Sequence, residues 1–287
     1  MEDIDIVEHH HRFGDLSFNV AAAGAGSPVI MLHGWPDSWQ LWRDQIDALT
    51  RSGHRVIAPD LRGFGQSDQP EAVDEYSLDK LIGDVAAILD EFKIERASVV
   101  GHDWGSAVAW LVATFLPERV DRLVAVSVGH PKAFAGAGLT QKQLSWYMMW
   151  FQFPGVAERV LAEHDWEFFR NWAHAGAARG GDDLMERQIA DLSRPGRLSA
   201  SLNWYRANIS PDTFAGNGRY LELPLITCPT MGVWSSGDSL LGEVQMRDSG
   251  QLVSGEWRYE RIEGANHWIP VSASERLNEL LVEFLAV

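Results

Sequence analysis

The sequence predicts an α/β fold: a mostly parallel central sheet flanked by helices and interrupted by a helical insertion. Three observations carry this expectation. Short apolar runs bounded by turn residues alternate with helix-spaced segments early in the chain, and the strand runs return near its end. Between the two parts, over 132–219, no buried-strand run stands out. One strand-like run, 97–100, passes through Gly101-His102-Asp103-Trp104-Gly105 directly into a helix-like run, 106–116, closed by Pro117.

In chain order, a strand is expected over 17–23, ending in the turn Gly24-Ala25-Gly26-Ser27-Pro28. Residues 29–32 form the short apolar run of a strand buried on both faces, and His33-Gly34-Trp35-Pro36 follow it. A helix over 38–50 and a strand over 55–58 lead to a glycine-punctuated loop, 59–68. A helix over 77–92 carries Leu78, Leu81, Ile82, Val85, Ile88 and Leu89 at helical spacing. The 97–100 strand and its helix come next, then a strand over 122–126. The long middle segment is rich in Trp, Met and helix formers, and is expected to cap the sheet. Strands over 230–234 and 258–262 precede a last helix, 274–285. Leu277, Leu280, Leu281 and Phe284 give that helix one apolar face, and Ser272 with Glu275 is expected to form its capping box. The implied division is core 1–131, helical cap 132–219, core 220–287.

Composition narrows the function classes. The chain has 287 residues, 46% hydrophobic and 22% charged, as in a soluble globular protein. A formal net charge of −16 argues against nucleic acid and anionic membrane surfaces as partners. Cys228 is the only cysteine, so no intrachain disulfide is possible, as expected in a reducing cytoplasm. It sits in an apolar run and reads as core. Residues 1–11 are acidic and then histidine-rich, without the basic and apolar regions of a signal peptide. No apolar run approaches membrane-spanning length. His9, His10 and His11 are adjacent and would point to alternating faces of an extended chain, so no metal centre is expected there.

The five residues after the 97–100 strand carry the chemistry. A tight strand-to-helix turn admits only small residues two before and two after its centre. Gly101 and Gly105 meet that need, and the centre holds Asp103. A carboxylate there can attack an electrophilic carbon and form an ester; the alternative is a plain turn capped by Asp. Discharging such an ester needs a base, an orienting acid and oxyanion donors. Asp103, Asp238 and His267 occur in the order nucleophile, acid, histidine, with Glu243 as second choice for the acid. Asp238 lies just past the 230–234 strand, and His267 just past the 258–262 strand, in Gly264-Ala265-Asn266-His267-Trp268. With His33-Gly34-Trp35-Pro36, four segments converge on the carboxyl rim of the sheet, where sites form in open parallel sheets.

On these motifs, with Gly63-Phe64-Gly65-Gln66-Ser67, the sequence resembles the α/β-hydrolase fold enzymes over nearly its whole length. Within them it resembles the epoxide hydrolase and haloalkane dehalogenase branch. The resemblance implies that Asp103 forms an alkyl ester and that His267, oriented by Asp238, activates the water that hydrolyses it. The backbone N–H groups of Trp35 and Trp104 would hold the oxyanion. It further implies two cap tyrosines that protonate an epoxide oxygen. Tyr205, in Asn203-Trp204-Tyr205-Arg206, matches the second of them. The first position, just before Phe151-Gln152-Phe153-Pro154-Gly155, holds Trp150, and Tyr147 lies one helical turn earlier. Trp35, Trp104, Trp150 and Trp268 are expected to contact substrate. A haloalkane dehalogenase is the alternative, with Trp104 and a cap indole, Trp146 or Trp150, holding the halide. The alternative acid position of some dehalogenases holds Ser127, Val128 and Gly129, with no carboxylate. A non-catalytic, ligand-binding member of the same fold is a third class. No metal or organic cofactor is implied. The expected partners are a small apolar electrophile and water.

Overall fold

A computed structural model describes residues 4–173, 182–216 and 222–286. Its strands are β1 (Val7–Phe13), β2 (Leu16–Gly24), β3 (Ser27–Leu32), β4 (His54–Pro59), β5 (Ala97–His102), β6 (Val120–Val126), β7 (Thr230–Ser235) and β8 (Trp257–Ile262). Among the described residues they form one eight-stranded sheet in the order β1-β2-β4-β3-β5-β6-β7-β8. β1 pairs antiparallel with β2, and β2 with β4, while the remaining pairs are parallel. Every residue of β5 and β7 is buried, as are the last four of β3. Strands covered on both faces need no polar side, which is why these read as mainly apolar runs.

Helices α1 (Arg43–Arg51), α2 (Leu78–Glu91) and α3 (Trp104–Phe115) connect the first parallel strands. Between β6 and β7 the described elements are all helices: α4 (Pro131–Gly136), α5 (Gly138–Leu144), α6 (Tyr147–Trp150), α7 (Val156–Ala173), α8 (Asp182–Leu192), α9 (Arg197–Asn208) and α10 (Pro211–Ala215). The chain ends with α11 (Glu243–Arg247), α12 (Ile269–Ser272) and α13 (Ser274–Leu285). No helix among the described residues is long and apolar enough to cross a membrane.

Several expectations need correction. The helix expected over 38–50 begins as a 3₁₀ turn, Trp39–Trp42, whose first N–H is held by the Asp60 carboxylate at 2.9 Å. The histidine-rich stretch is part of strand β1. His9, His11 and Phe13 lie along one face of it, with His9 and His11 against Phe92. The capping box is absent: Ser272 ends α12 and its hydroxyl donates to the Trp268 carbonyl at 3.0 Å, while Ala273 precedes α13 without a side-chain cap. Cys228 lies just before β7 and is half-buried. The boundary expected at 219/220 lies outside the described residues.

The turn from β5 to α3 is a single residue. Asp103 sits at φ 53° and ψ −122°, in the region that disfavours a side chain. The fold around it is tight. A Cβ on Gly101 would lie 2.3 Å from the Gly105 carbonyl oxygen, and one on Gly105 would lie 2.0 Å from that of Leu32. Gly83, on the exposed side of α2, has open space around its missing Cβ. The two glycines should therefore respond oppositely to alanine. Gly105→Ala should lose roughly 1–3 kcal/mol or more through overpacking, whereas Gly83→Ala should gain about 0.5–1 kcal/mol. Thermal unfolding of the two variants checks the signs.

Candidate active site

Four strand ends deliver the polar groups of the site. Asp103 follows β5, Trp35 lies three residues past β3, Asp238 follows β7, and His267 follows β8. The Trp35 N–H donates to Asp103 Oδ1 at 2.7 Å, and the Trp104 backbone N–H also bonds that carboxylate. This approach requires Gly34, since a Cβ there would lie 2.4 Å from the Asp103 Cβ. His267 Nε2 faces Asp103 Oδ2 at 3.6 Å and has no other partner among the described residues. On its other side, His267 Nδ1 and Asp238 Oδ2 are 2.8 Å apart. Asp238 Oδ1 accepts from the N–H groups of Leu240 and Leu241 at 2.8 and 2.9 Å, which fixes the carboxylate plane. Glu243 is engaged elsewhere, with Tyr259 and Arg261.

The histidine loop is tied down by groups the sequence did not single out. The His267 carbonyl accepts from His102 Nε2 and from the Ser127 hydroxyl, both at 2.9 Å. Burial lowers the His102 pKa to about 4, so this ring is neutral and its single proton sits on the donating nitrogen. The Ser235 hydroxyl bonds the carbonyls of Ala265 and Asn266 at 2.7 and 3.0 Å.

A cavity of about 230 Å³ opens over Asp103. Its walls are mostly apolar, with Leu111, Phe134, Met148, Ile209, Phe214 and Leu241 among them. Tyr147, Tyr205 and Trp104 line it beside the carboxylate. Both tyrosines are buried, and their rings lie 6.0 Å apart. Among the described residues nothing hydrogen-bonds the Tyr147 hydroxyl, whereas Tyr205 bonds the Trp104 side chain.

A family model for the alpha/beta hydrolase fold matches residues 27–273. The chain belongs to that family. It is 34% identical over 285 residues to the AB hydrolase superfamily protein YfhM of Bacillus subtilis (strain 168), covering 94% of each chain. Epoxide hydrolase 4 of Homo sapiens is 33% identical over 94% of this chain and 76% of its own length. Epoxide hydrolase A of Mycobacterium tuberculosis is 30% identical, with 93% and 92% covered. A solved structure, described among novel epoxide hydrolases of the alpha/beta hydrolase superfamily from hot-environment metagenomes, matches with a TM-score of 0.87. It is 26% identical, over 98% of this chain and 99% of that one. The chain is an epoxide hydrolase-like α/β hydrolase.

The site of this α/β hydrolase corrects the expectations for four of its indoles. Trp150 lies outside the cavity and packs against Trp146, Phe151 and Phe168; Trp146 also lies outside it. Trp268 is buried behind His267, with its indole N–H donated to Asp37 Oδ2 at 2.9 Å. The Trp35 ring packs against Phe151, Phe169 and Tyr205 and donates to the Ser201 hydroxyl at 3.1 Å, so Trp35 reaches the site through its backbone N–H. Among the described residues, no group of three or more His, Cys, Asp or Glu could hold a metal ion.

The electrostatics of the α/β-hydrolase site turn on His267 and the two carboxylates beside it. Burial works against a charge on His267, yet Asp238 and then Asp103 outweigh it and push the imidazole up to about 10. Burial would likewise raise the Asp103 carboxyl, but hydrogen bonding and charge from His267 hold it below the usual carboxylate value. Burial raises the Tyr147 and Tyr205 phenols well above their ordinary range, and Asp103 adds to the shift, so both carry their protons. The His267 value in the folded protein lies above that of an unfolded histidine, about 6.5. Its stabilisation is therefore complete below that pH and is lost as pH rises toward about 10. Nitrogen-15 NMR should find His267 titrating near about 10, and well below that in Asp103→Asn. The fall in Tm over the same alkaline window should be smaller in that variant.

Proposed function

We propose that this protein hydrolyses small apolar epoxides to vicinal diols through an ester on Asp103. The observation that carries the proposal is the Asp103 carboxylate at the floor of an apolar cavity, with His267 Nε2 at 3.6 Å, the Trp35 N–H at 2.7 Å and two protonated tyrosines on the cavity wall. An Asp103 oxygen attacks an epoxide carbon, and the ring C–O bond breaks. The alkoxide takes its proton from Tyr205 or Tyr147, leaving a tyrosinate. Esterification removes the Asp103 charge, one of the two that keep His267 cationic. The His267 proton then restores the tyrosine, and the neutral imidazole can act as base. Water gives it a proton and adds to the ester carbonyl carbon, and the oxyanion is held by the Trp35 and Trp104 N–H groups. Collapse expels the diol, and the carboxyl proton goes to the departing oxygen. Asp103, His267 and the tyrosine are returned to their starting states, for a net addition of water.

The cavity suits a small aromatic or branched epoxide. An engineered cavity of about 150 Å³ holds benzene, so about 230 Å³ leaves room for a phenyl ring and an oxirane. The helices between β6 and β7 act as the cap in this proposal, and the protein works in a reducing cytoplasm. A halide would need two N–H donors in the cavity. With Trp146 and Trp150 outside it, that alternative has one indole, Trp104.

Asp103→Asn should lower turnover by ~10³-fold or more. In His267→Gln the ester should persist, so incubation with styrene oxide should raise the intact mass by that of the whole epoxide. An alkyl adduct without halogen from bromoalkanes, and none from epoxides, would instead make it a dehalogenase. No adduct from either, with saturable binding, would make it a ligand-binding protein. Tyr205→Phe and Tyr147→Phe should each slow ester formation by ~10²-fold or more, measured by rapid quench, and leave ester breakdown nearly unchanged.

A further inference from the structure

Asp37 closes the turn that carries Trp35, and its N–H donates to the Gly34 carbonyl at 2.9 Å. Its carboxylate is buried, and among the described residues no lysine or arginine pairs with it. Instead it joins two neutral donors. Oδ1 accepts from Gln188 Nε2 at 2.8 Å, and Oδ2 accepts from Trp268 Nε1 at 2.9 Å. Gln188 belongs to α8 and is itself buried. Trp268 adjoins His267, and the two rings meet edge-on with centroids 5.2 Å apart. One side chain thus links the oxyanion turn, the histidine loop and α8.

A buried carboxylate without a counter-cation is costly, and burial pushes the Asp37 carboxyl up to about 7. Packing alone would be served better by an apolar residue. The two donors explain the choice, since an indole N–H can only donate and a carboxylate accepts on both oxygens. We propose that Asp37 is a positioning residue that locks the histidine loop to α8, so that His267 is held in line with Asp103 when α8 is seated on the rim. Its kinetic consequence rests on His267 being the base of the proposed reaction; its structural consequence does not.

The test uses the full chain and two readouts. The first needs no substrate: the downfield Nδ1–H proton of His267, bonded to Asp238. The second is the rate of ester formation against that of ester breakdown with styrene oxide. Asp37→Leu should shift or broaden the His267 proton and slow breakdown ~10-fold or more relative to formation. Both readouts should recover in Asp37→Asn, because the Gln188 amide can turn its oxygen toward the new NH₂ while Trp268 keeps its acceptor. Trp268→Phe keeps an aromatic ring beside His267 and removes the N–H together with part of the indole, so it carries the same test if Asp37→Leu does not fold. Trp268→Phe and Gln188→Leu should each reproduce the defect, and neither should add to it in the Asp37→Leu background. An unchanged His267 proton in folded Asp37→Leu and Trp268→Phe would overturn the proposal. If no ester forms even in the parent protein, the Asp103 mechanism fails, and the NMR arm still decides the role of Asp37.

Discussion

The close approach of three backbone segments around Asp103 governs the rest of the molecule. β5 must stop and α3 must begin within one residue, while the β3 rim passes against both. Glycine at 34, 101 and 105 allows that proximity, and the positive φ of Asp103 aims its carboxylate at the Trp35 N–H instead of into the helix. Once those segments are locked together, β7, which pairs with β6, and β8, which pairs with β7, deliver Asp238 and His267 to the same rim without further adjustment. The strained residue is buried and overdetermined by its surroundings, which is the condition under which such strain persists.

Placing a cation between two carboxylates in a buried site would be costly if any member were unpaired. Here each charge has its partner, and the remaining lone pairs have backbone donors: Trp35 and Trp104 for Asp103, Leu240 and Leu241 for Asp238. The arrangement is balanced only while Asp103 is ionised. In the proposed reaction, converting that carboxylate to an ester would remove one of the two charges holding the histidine proton, so forming the covalent bond would itself prepare the base for the next step. The formal charge of −16 on the whole chain is spread over exposed side chains and is screened. The local pairing sets the behaviour of His267.

What could be read in the sequence follows the range of the forces involved. β3, β5, β6 and β7 were legible because strands covered on both faces carry short, mainly apolar runs, and the Asp103 turn because its glycines answer to sterics within five residues. The meeting of Asp103, Asp238 and His267 was legible because each follows a strand of one parallel array and so reaches the same rim. β1 was not, since His9 and His11 do against Phe92 what apolar residues usually do, and imidazoles do not mark a strand. Trp150 and Trp268 were assigned to substrate because an indole's direction depends on distant packing, which neighbours in sequence do not reveal. Asp37 gave no signal, for Asp after Pro in a turn is ordinary; only the arrival of Gln188 and Trp268 distinguishes it.

The same long-range packing explains how an apolar cavity can sit on a polar rim. The helices after β6 meet the core through hydrogen bonds placed around the cavity: Trp204 Nε1 to the Arg62 carbonyl at 2.9 Å, Asn208 Nδ2 to the Tyr76 carbonyl at 2.8 Å, and Gln141 Nε2 to the Leu240 carbonyl at 3.1 Å. Each side-chain donor satisfies a core backbone group that would otherwise need water. With the polar requirement met at the perimeter, the space between is left to Phe134, Met148, Ile209 and Phe214, together with the phenols of Tyr147 and Tyr205. Burial among these side chains strengthens every interaction with Asp103 and keeps both tyrosines protonated. The aromatic richness of the segment that follows β6 therefore sets the electrostatics of a carboxylate that lies in a different part of the chain.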